Sequence, residues 1–133
     1  MSKVSFIGLG KLGLPLAGLL AKSNQVLCID KNEYVLSQLN EGKLPFYETG
    51  LKELLFEVSE NIIDYTDSYK RAIEETDAAV ILVNTQLGDN GYSAEFVKSA
   101  ITDLAINLKK SDKKYFTVIL SSTVLPGTIV DEL

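Results

Sequence analysis

Three glycines in the spacing Gly-x-Gly-x-x-Gly, at Gly8, Gly10 and Gly13, follow directly on the short apolar run Val4-Ser5-Phe6-Ile7. Their chemistry is that of the missing side chain. At Gly8 the chain can turn tightly out of a strand, at Gly10 backbone N–H groups can approach a pyrophosphate, and at Gly13 a following helix can pack close to the sheet. Lys11 and Leu12 complete the turn, and the anion would rest on the N-terminus of the helix that follows. Asp30 closes the next apolar run, Val26-Leu27-Cys28-Ile29, at roughly the 20-residue offset of a ribose-reading acid. At the sheet's C-terminal edge its carboxylate can accept hydrogen bonds from the adenosine ribose hydroxyls, which favours NAD over NADP. Two features keep alternatives open. Asp30 precedes Lys31-Asn32-Glu33 and could simply cap the next helix, and the Lys31 cation could tolerate a 2′-phosphate.

These residues need a framework that delivers them to one edge. Strand and helix signals alternate along the chain, which implies an α/β, Rossmann-type parallel sheet of order 3-2-1-4-5 with helices on both faces. Strands are expected at Lys3 to Ile7, Gln25 to Asp30, Ile62 to Tyr65, Ala78 to Val83 and Tyr115 to Leu120. Helices are expected over Lys11 to Lys22, Glu33 to Asn40 with Gly42 to stop it, Leu51 to Val58, Asp67 to Glu75, and from Ser93 onward. The almost continuous apolar run Ala78 to Val83 has the pattern of a strand buried on both faces, and it ends in Asn84-Thr85-Gln86, polar groups delivered to the ligand edge. Leu87 to Tyr92, with Gly88, Asp89, Asn90 and Gly91, reads as a loop or turn by composition. The loop Lys43 to Gly50 is apolar and aromatic for a connector and is expected to pack across the sheet's edge. The last strand leads into Ser121-Ser122-Thr123, and Pro126 is suited to starting a helix.

Composition removes several classes of function. The 133 residues are 46% hydrophobic, enough for one domain with a real core. Thirteen basic residues against eighteen acidic ones give a net charge of −5, with no basic cluster larger than a pair, so nucleic acid is not an expected partner. No apolar run approaches the ~20 residues needed to span a bilayer, the chain opens into a strand instead of a signal peptide, and a cytoplasmic location is expected. With a single cysteine there is no internal disulfide, and with no histidine there is neither a His-based triad nor a His metal site; no metal is expected. Cys28, inside a strand pattern, reads as a small buried hydrophobe.

Taken together, four segments resemble the N-terminal, NAD-binding domain of the UDP-glucose/GDP-mannose dehydrogenase family. They are Gly8-Leu-Gly-Lys-Leu-Gly-Leu-Pro-Leu-Ala17, Asn40-Glu-Gly-Lys-Leu-Pro-Phe-Tyr-Glu-Thr-Gly-Leu51, Val83-Asn-Thr85 and Ser121-Ser-Thr-Val-Leu-Pro-Gly-Thr128. The first is shared by many dehydrogenases, whereas the second and fourth are far more specific. The resemblance implies a parent enzyme that oxidises C6 of a nucleotide sugar twice, alcohol to carboxylate through an aldehyde held on a cysteine, reducing two NAD and supplying a uronic acid for polysaccharide biosynthesis. It further implies that Gly8, Gly10 and Gly13 face the pyrophosphate, Asp30 the adenosine ribose, and Thr85 and Thr123 the nicotinamide side, with Lys11, Leu12, Asn84 and Ser122 also binding the cofactor. Thr123 matches a position near the reacting carbon, and a helix-capping hydroxyl before Pro126 is the equally reasonable alternative. Glu48 reads as structural.

On the same resemblance, residues 1–133 form an NAD-binding domain incomplete at its C-terminal end, cut before the central and UDP-binding domains that carry the nucleophilic cysteine and hold the nucleotide-sugar substrate; the parent would be a homodimer. Three positions depart from the family pattern. Proline is common where Thr49 and Gln86 stand, and an aromatic is frequent in place of Lys11. A stand-alone nucleotide-sensing Rossmann regulatory module would also suit the glycine turn and Asp30. So would the N-terminal domain of a 3-hydroxyacid or 6-phosphogluconate dehydrogenase. Neither accounts for the Tyr47-Glu48 loop or the Ser121 to Thr128 segment.

Overall fold

Five short apolar runs line up in parallel, as the alternation of strand and helix patterns requires. In the computed structural model, β1 (Lys3–Ile7), β2 (Gln25–Ile29), β3 (Ile62–Thr66), β4 (Ala78–Ile81) and β7 (Thr117–Leu120) form one sheet in the order β3-β2-β1-β4-β7. Counted along the chain within that sheet, the order is the expected 3-2-1-4-5. The structure describes residues 1–83, 86–88, 91–122 and 129, with only the backbone considered at 86–88 and 91–93.

Strand residues alternate between two cores because successive side chains point to opposite faces. Phe6, Val26 and Cys28 face α1 (Gly13–Leu20), α2 (Glu33–Asn40) and α3 (Leu51–Glu57), joining Leu14, Ala17, Leu39 and Leu51 in one cluster. Ile7, Leu27, Ile29 and Ile81 face α4 (Tyr69–Glu75) and α5 (Glu95–Lys109), where they meet Ile73, Ala100 and Leu104. Register supports the layering, since Phe6 sits opposite Cys28 and Val80, and Ile7 opposite Ile29 and Ile81. One polar pair crosses the core boundary: Ser5 Oγ and Thr76 Oγ1 share a hydrogen bond of 2.8 Å, while Thr76 also donates to the Ala72 carbonyl. Neither buried hydroxyl is left unpaired, which removes a cost of about 1–3 kcal/mol.

Several boundaries differ from expectation. α1 begins at Gly13, not Lys11, because residues up to Leu12 are used in the turn itself. α4 begins at Tyr69, two residues after the expected start at Asp67, because Ser68 Oγ accepts the Arg71 N–H at 3.2 Å and so caps the helix. The segment expected as a plain loop after β4 contains a small antiparallel hairpin, β5 (Gln86–Gly88) paired with β6 (Gly91–Ser93), and the helix after it starts at Glu95 instead of Ser93. Three-residue strands carry too little apolar alternation to register as strands. Gly42, with φ +75°, stops α2 as anticipated. In the 43–50 loop Leu44 and Phe46 pack against the first core, while Tyr47 is exposed.

Candidate functional site

At the C-terminal edge of the sheet the turn after β1 is held by contacts that no side chain could share. Gly8 has φ +109°, donates its N–H to the Ile29 carbonyl at 2.9 Å, and lies so close to the strand beside it that a Cβ would stand 2.0 Å from the Leu82 carbonyl oxygen. A Cβ on Gly13 would stand 1.9 Å from the Gly8 carbonyl oxygen, so the start of α1 is pressed onto the turn. Gly10 is different. A Cβ there would meet nothing within 4 Å, because the position opens on a cavity of about 690 Å³.

The residues around that cavity suit a dinucleotide. Gly8 to Gly13 form its floor, and the α1 N-terminus beside it has neither a side-chain cap nor an acidic residue in its first turn. The Leu14 N–H is spent on the Gly10 carbonyl and Pro15 has none, so it is the positive end of the helix dipole, unmet by any acidic side chain, that favours an anion there. Asp30 stands on the rim with its carboxylate oriented by two backbone donors. The Leu9 N–H reaches Oδ2 at 2.8 Å, and the Asn32 N–H reaches Oδ1 at 2.8 Å. A carboxylate has about four lone-pair sites, so each oxygen keeps capacity for a ribose hydroxyl. The capping alternative for Asp30 falls away, because Asn32 caps α2, its Oδ1 accepting from Tyr34 and Val35 at 3.0 and 3.2 Å.

Lys31, which left room for a 2′-phosphate, has its ammonium bound elsewhere. It donates to Asp103 Oδ2 at 2.7 Å and to Ser99 Oγ at 3.1 Å, and lies 5.4 Å from the centroid of the Tyr69 ring. Burial, followed by the nearby charges of Asp103 and Asp30, pushes the Tyr69 hydroxyl up to about 12, so it is a neutral phenol at physiological pH. Ser122 is buried, and its hydroxyl accepts the Val83 N–H at 2.9 Å, tying the ends of β4 and β7 together. Asn84, Thr85 and Thr123 lie outside the described residues. Burial, then the Asp64 charge, raises Cys28 to about 12, which is a core thiol with no nucleophilic character.

Pattern reading missed the far wall, made by Tyr69 of α4 and by Phe96, Ser99 and Ala100 of α5. The signal was available in the topology. A crossover helix after a parallel strand starts at the strand's C-terminal edge, so the first turns of α4 and α5 had to border the ligand crevice. Among the described residues no group of three or more Cys, Asp or Glu side chains could hold a metal ion, and no helix is long and apolar enough to cross a membrane.

A glycine turn on an uncapped helix, an acid at the end of the second strand and a crevice at the strand-order reversal together define a Rossmann-type dinucleotide-binding domain. A sequence model of the UDP-glucose/GDP-mannose dehydrogenase family's NAD binding domain matches residues 2–133, and the chain belongs to that family, whose cofactor is NAD. It is 31% identical to the GDP-mannose 6-dehydrogenase of Pseudomonas putida over 130 residues, covering 96% of this chain and 30% of that protein. It is also 31% identical to the UDP-glucose 6-dehydrogenase of Rhizobium meliloti over 135 residues, covering 98% and 30%. The crystal structure of a ternary complex of GDP-mannose dehydrogenase from Pseudomonas aeruginosa superposes with a TM-score of 0.87 at 28% identity, over 96% of this chain and 30% of that one. The chain thus spans about 30% of the length of the curated relatives it matches.

Proposed function

We propose that this chain is the cofactor-holding part of a nucleotide-sugar 6-dehydrogenase, in which a C6 alcohol is oxidised to a carboxylate. The observation that carries the reading is the open space over Gly10 beside the uncapped start of α1, with Asp30 fixed on the same rim. Gly8, Gly10, Lys11, Leu12 and Gly13 would hold the pyrophosphate, and Asp30 the adenosine ribose. Asn84, Thr85, Ser122 and Thr123 are assigned to the nicotinamide side on the family pattern alone. When bound, NAD would supply the two-electron acceptor for each of the two successive oxidations, two NAD being reduced per alcohol taken to carboxylate. The chain's own residues bind and orient it; Gly8 and Gly13 keep the backbone close enough for that, and the α1 N-terminus offsets the anion's charge.

No described residue offers a nucleophile or an acid–base pair at the crevice, so the 133-residue chain by itself is expected to bind NAD and to turn nothing over. Nucleotide sugar is the substrate class of the whole enzyme, with UDP-glucose the first to try, and a cytoplasmic homodimer is the expected parent. The test is a fluorescence titration with NADH and NADPH. Saturable binding that prefers NADH is expected, and Asp30→Ala should weaken NADH by about 2 kcal/mol, roughly thirtyfold. Indifference between the two cofactors, or an unaffected Asp30→Ala variant, would sink the assignment. Any reduction of NAD above background with UDP-glucose or GDP-mannose and this chain as sole protein would refute the inactivity.

A further inference from the structure

The pairing of Lys31 carries a consequence for cofactor choice. Lys31 follows Asp30 directly and lines the same crevice, so an extended Lys31 side chain would stand beside any group carried on the ribose that Asp30 reads. Its ammonium is instead turned across the crevice to α5, where Asp103 Oδ2 at 2.7 Å and Ser99 Oγ at 3.1 Å hold it above the Tyr69 ring. Asp103 sits four residues beyond Ser99 on α5 and does not line the crevice itself. The lysine side chain of the pair is 57% exposed and the aspartate 35%, so the contact adds little to stability. Its effect is on where a charge stands.

We infer that Asp103 is a positioning residue for cofactor specificity: by holding Lys31 against α5, it withholds from a 2′-phosphate the cation next to the ribose site. The inference rests on the reading of Asp30 as the ribose acid. A 2′-phosphate at neutral pH carries between one and two negative charges and binds tightly only where a cation answers it. With Asp30 and Asp103 on either side of Lys31, the trio carries a net negative charge and repels such a group. Lysine is a point charge on a flexible stem and can swing between partners, which makes its availability depend on the strength of the competing pair. Removing the Asp103 charge deletes one repulsion and releases the cation at the same time. Asp30 stays in place, so NADH remains the better ligand and only the margin narrows.

The experiment measures dissociation constants for NADH and NADPH in the wild-type chain and in Asp103→Asn, Asp103→Ser, Asp103→Glu and the double variant Lys31→Met/Asp103→Asn, each checked for folding by circular dichroism. Asp103→Asn and Asp103→Ser are expected to lower the NADPH-to-NADH ratio of dissociation constants by roughly three- to tenfold at low ionic strength, an effect that added salt erodes. Asp103→Glu should restore the wild-type ratio, and the double variant should lose the gain because its cation is gone. Two variants at the position keep the test alive if one does not fold. Equal weakening of both cofactors, or an unchanged ratio, overturns the inference and leaves Asp103 a merely structural partner. If Asp30→Ala leaves NADH binding intact, the ribose reading fails and this inference with it; if Asp30→Ala weakens NADH while the Asp103 variants leave the ratio unmoved, only the present inference fails.

Discussion

The two halves of the sheet are both parallel yet enclose their strands very differently. Around β1 and β2, Phe6, Ile7 and Val26 to Ile29 are at most 3% exposed, and backbone meets backbone at Gly8 and Gly13. On the other side β7 pairs with β4 residue for residue, Thr117 opposite Ala78 through Leu120 opposite Ile81, yet Val118 and Ile119 remain 39% and 49% exposed. Hydrogen-bonded register is therefore no measure of local stability. Opening a segment costs free energy in proportion to the apolar contacts it gives up, so the glycine-turn half is the rigid platform and the β7 edge the softer one. The groups proposed to face the cofactor, Gly8 to Gly13 and Asp30, all belong to the rigid half.

That contrast can be broken most severely at Gly13. Gly13→Val would drive a side chain into the Gly8 carbonyl, and a loss of at least about 3 kcal/mol in urea unfolding is expected, enough to unfold a marginal domain. Gly10→Val, three residues earlier in the same turn, should leave the urea midpoint nearly unchanged because a Cβ there has no neighbour within 4 Å and the position opens on the crevice. It should nevertheless abolish NADH binding by filling the crevice floor, which separates folding from function within one loop. A variant that lost both together would refute the division of labour among the glycines.

Alkaline pH probes the rigid half through its buried acids. Cys28 rises from 9.0 to about 12 on burial, and burial likewise raises Tyr65 and Tyr69 above 10.0. In each case the unfolded chain releases its proton first, so the unfolded state binds fewer protons and stability falls as pH rises above 9.0 for the thiol and above 10.0 for the phenols. Urea midpoints measured across that range should decline, and Cys28→Ala should delay the onset from the cysteine's value to the tyrosines'. A flat profile would mean that these groups are far less buried than their packing implies. The smallest effect is reserved for the soft edge: Ile119→Thr should change stability by no more than about 0.5 kcal/mol, and a larger loss would show the edge to be covered after all.

Much of this architecture was legible because it depends on local pattern. Five apolar runs separated by helical periodicities predict a doubly covered parallel sheet, and the Gly8, Gly10, Gly13 spacing with Asp30 predicts which edge binds. Errors arose where short, polar stretches gave the pattern little with which to mark an element's bounds. The three-residue strands β5 and β6 carry too little alternation to read as strands, and α4 starts two residues late because the Ser68 hydroxyl caps it by accepting the Arg71 N–H.

The chemistry proposed for the cofactor edge rests on the sequence itself, since glycine spacing and the residue ending a strand act within one turn of chain. Which face each strand residue took also followed from alternation alone. Only the tertiary structure decided that Asp30 would be oriented by Leu9 and Asn32 while Asn32 took over the cap, and that Lys31 would turn to Asp103, 72 residues away. A charged side chain settles on whatever partner the packed helices bring within reach, and that distance exists only after α5 has docked on the sheet.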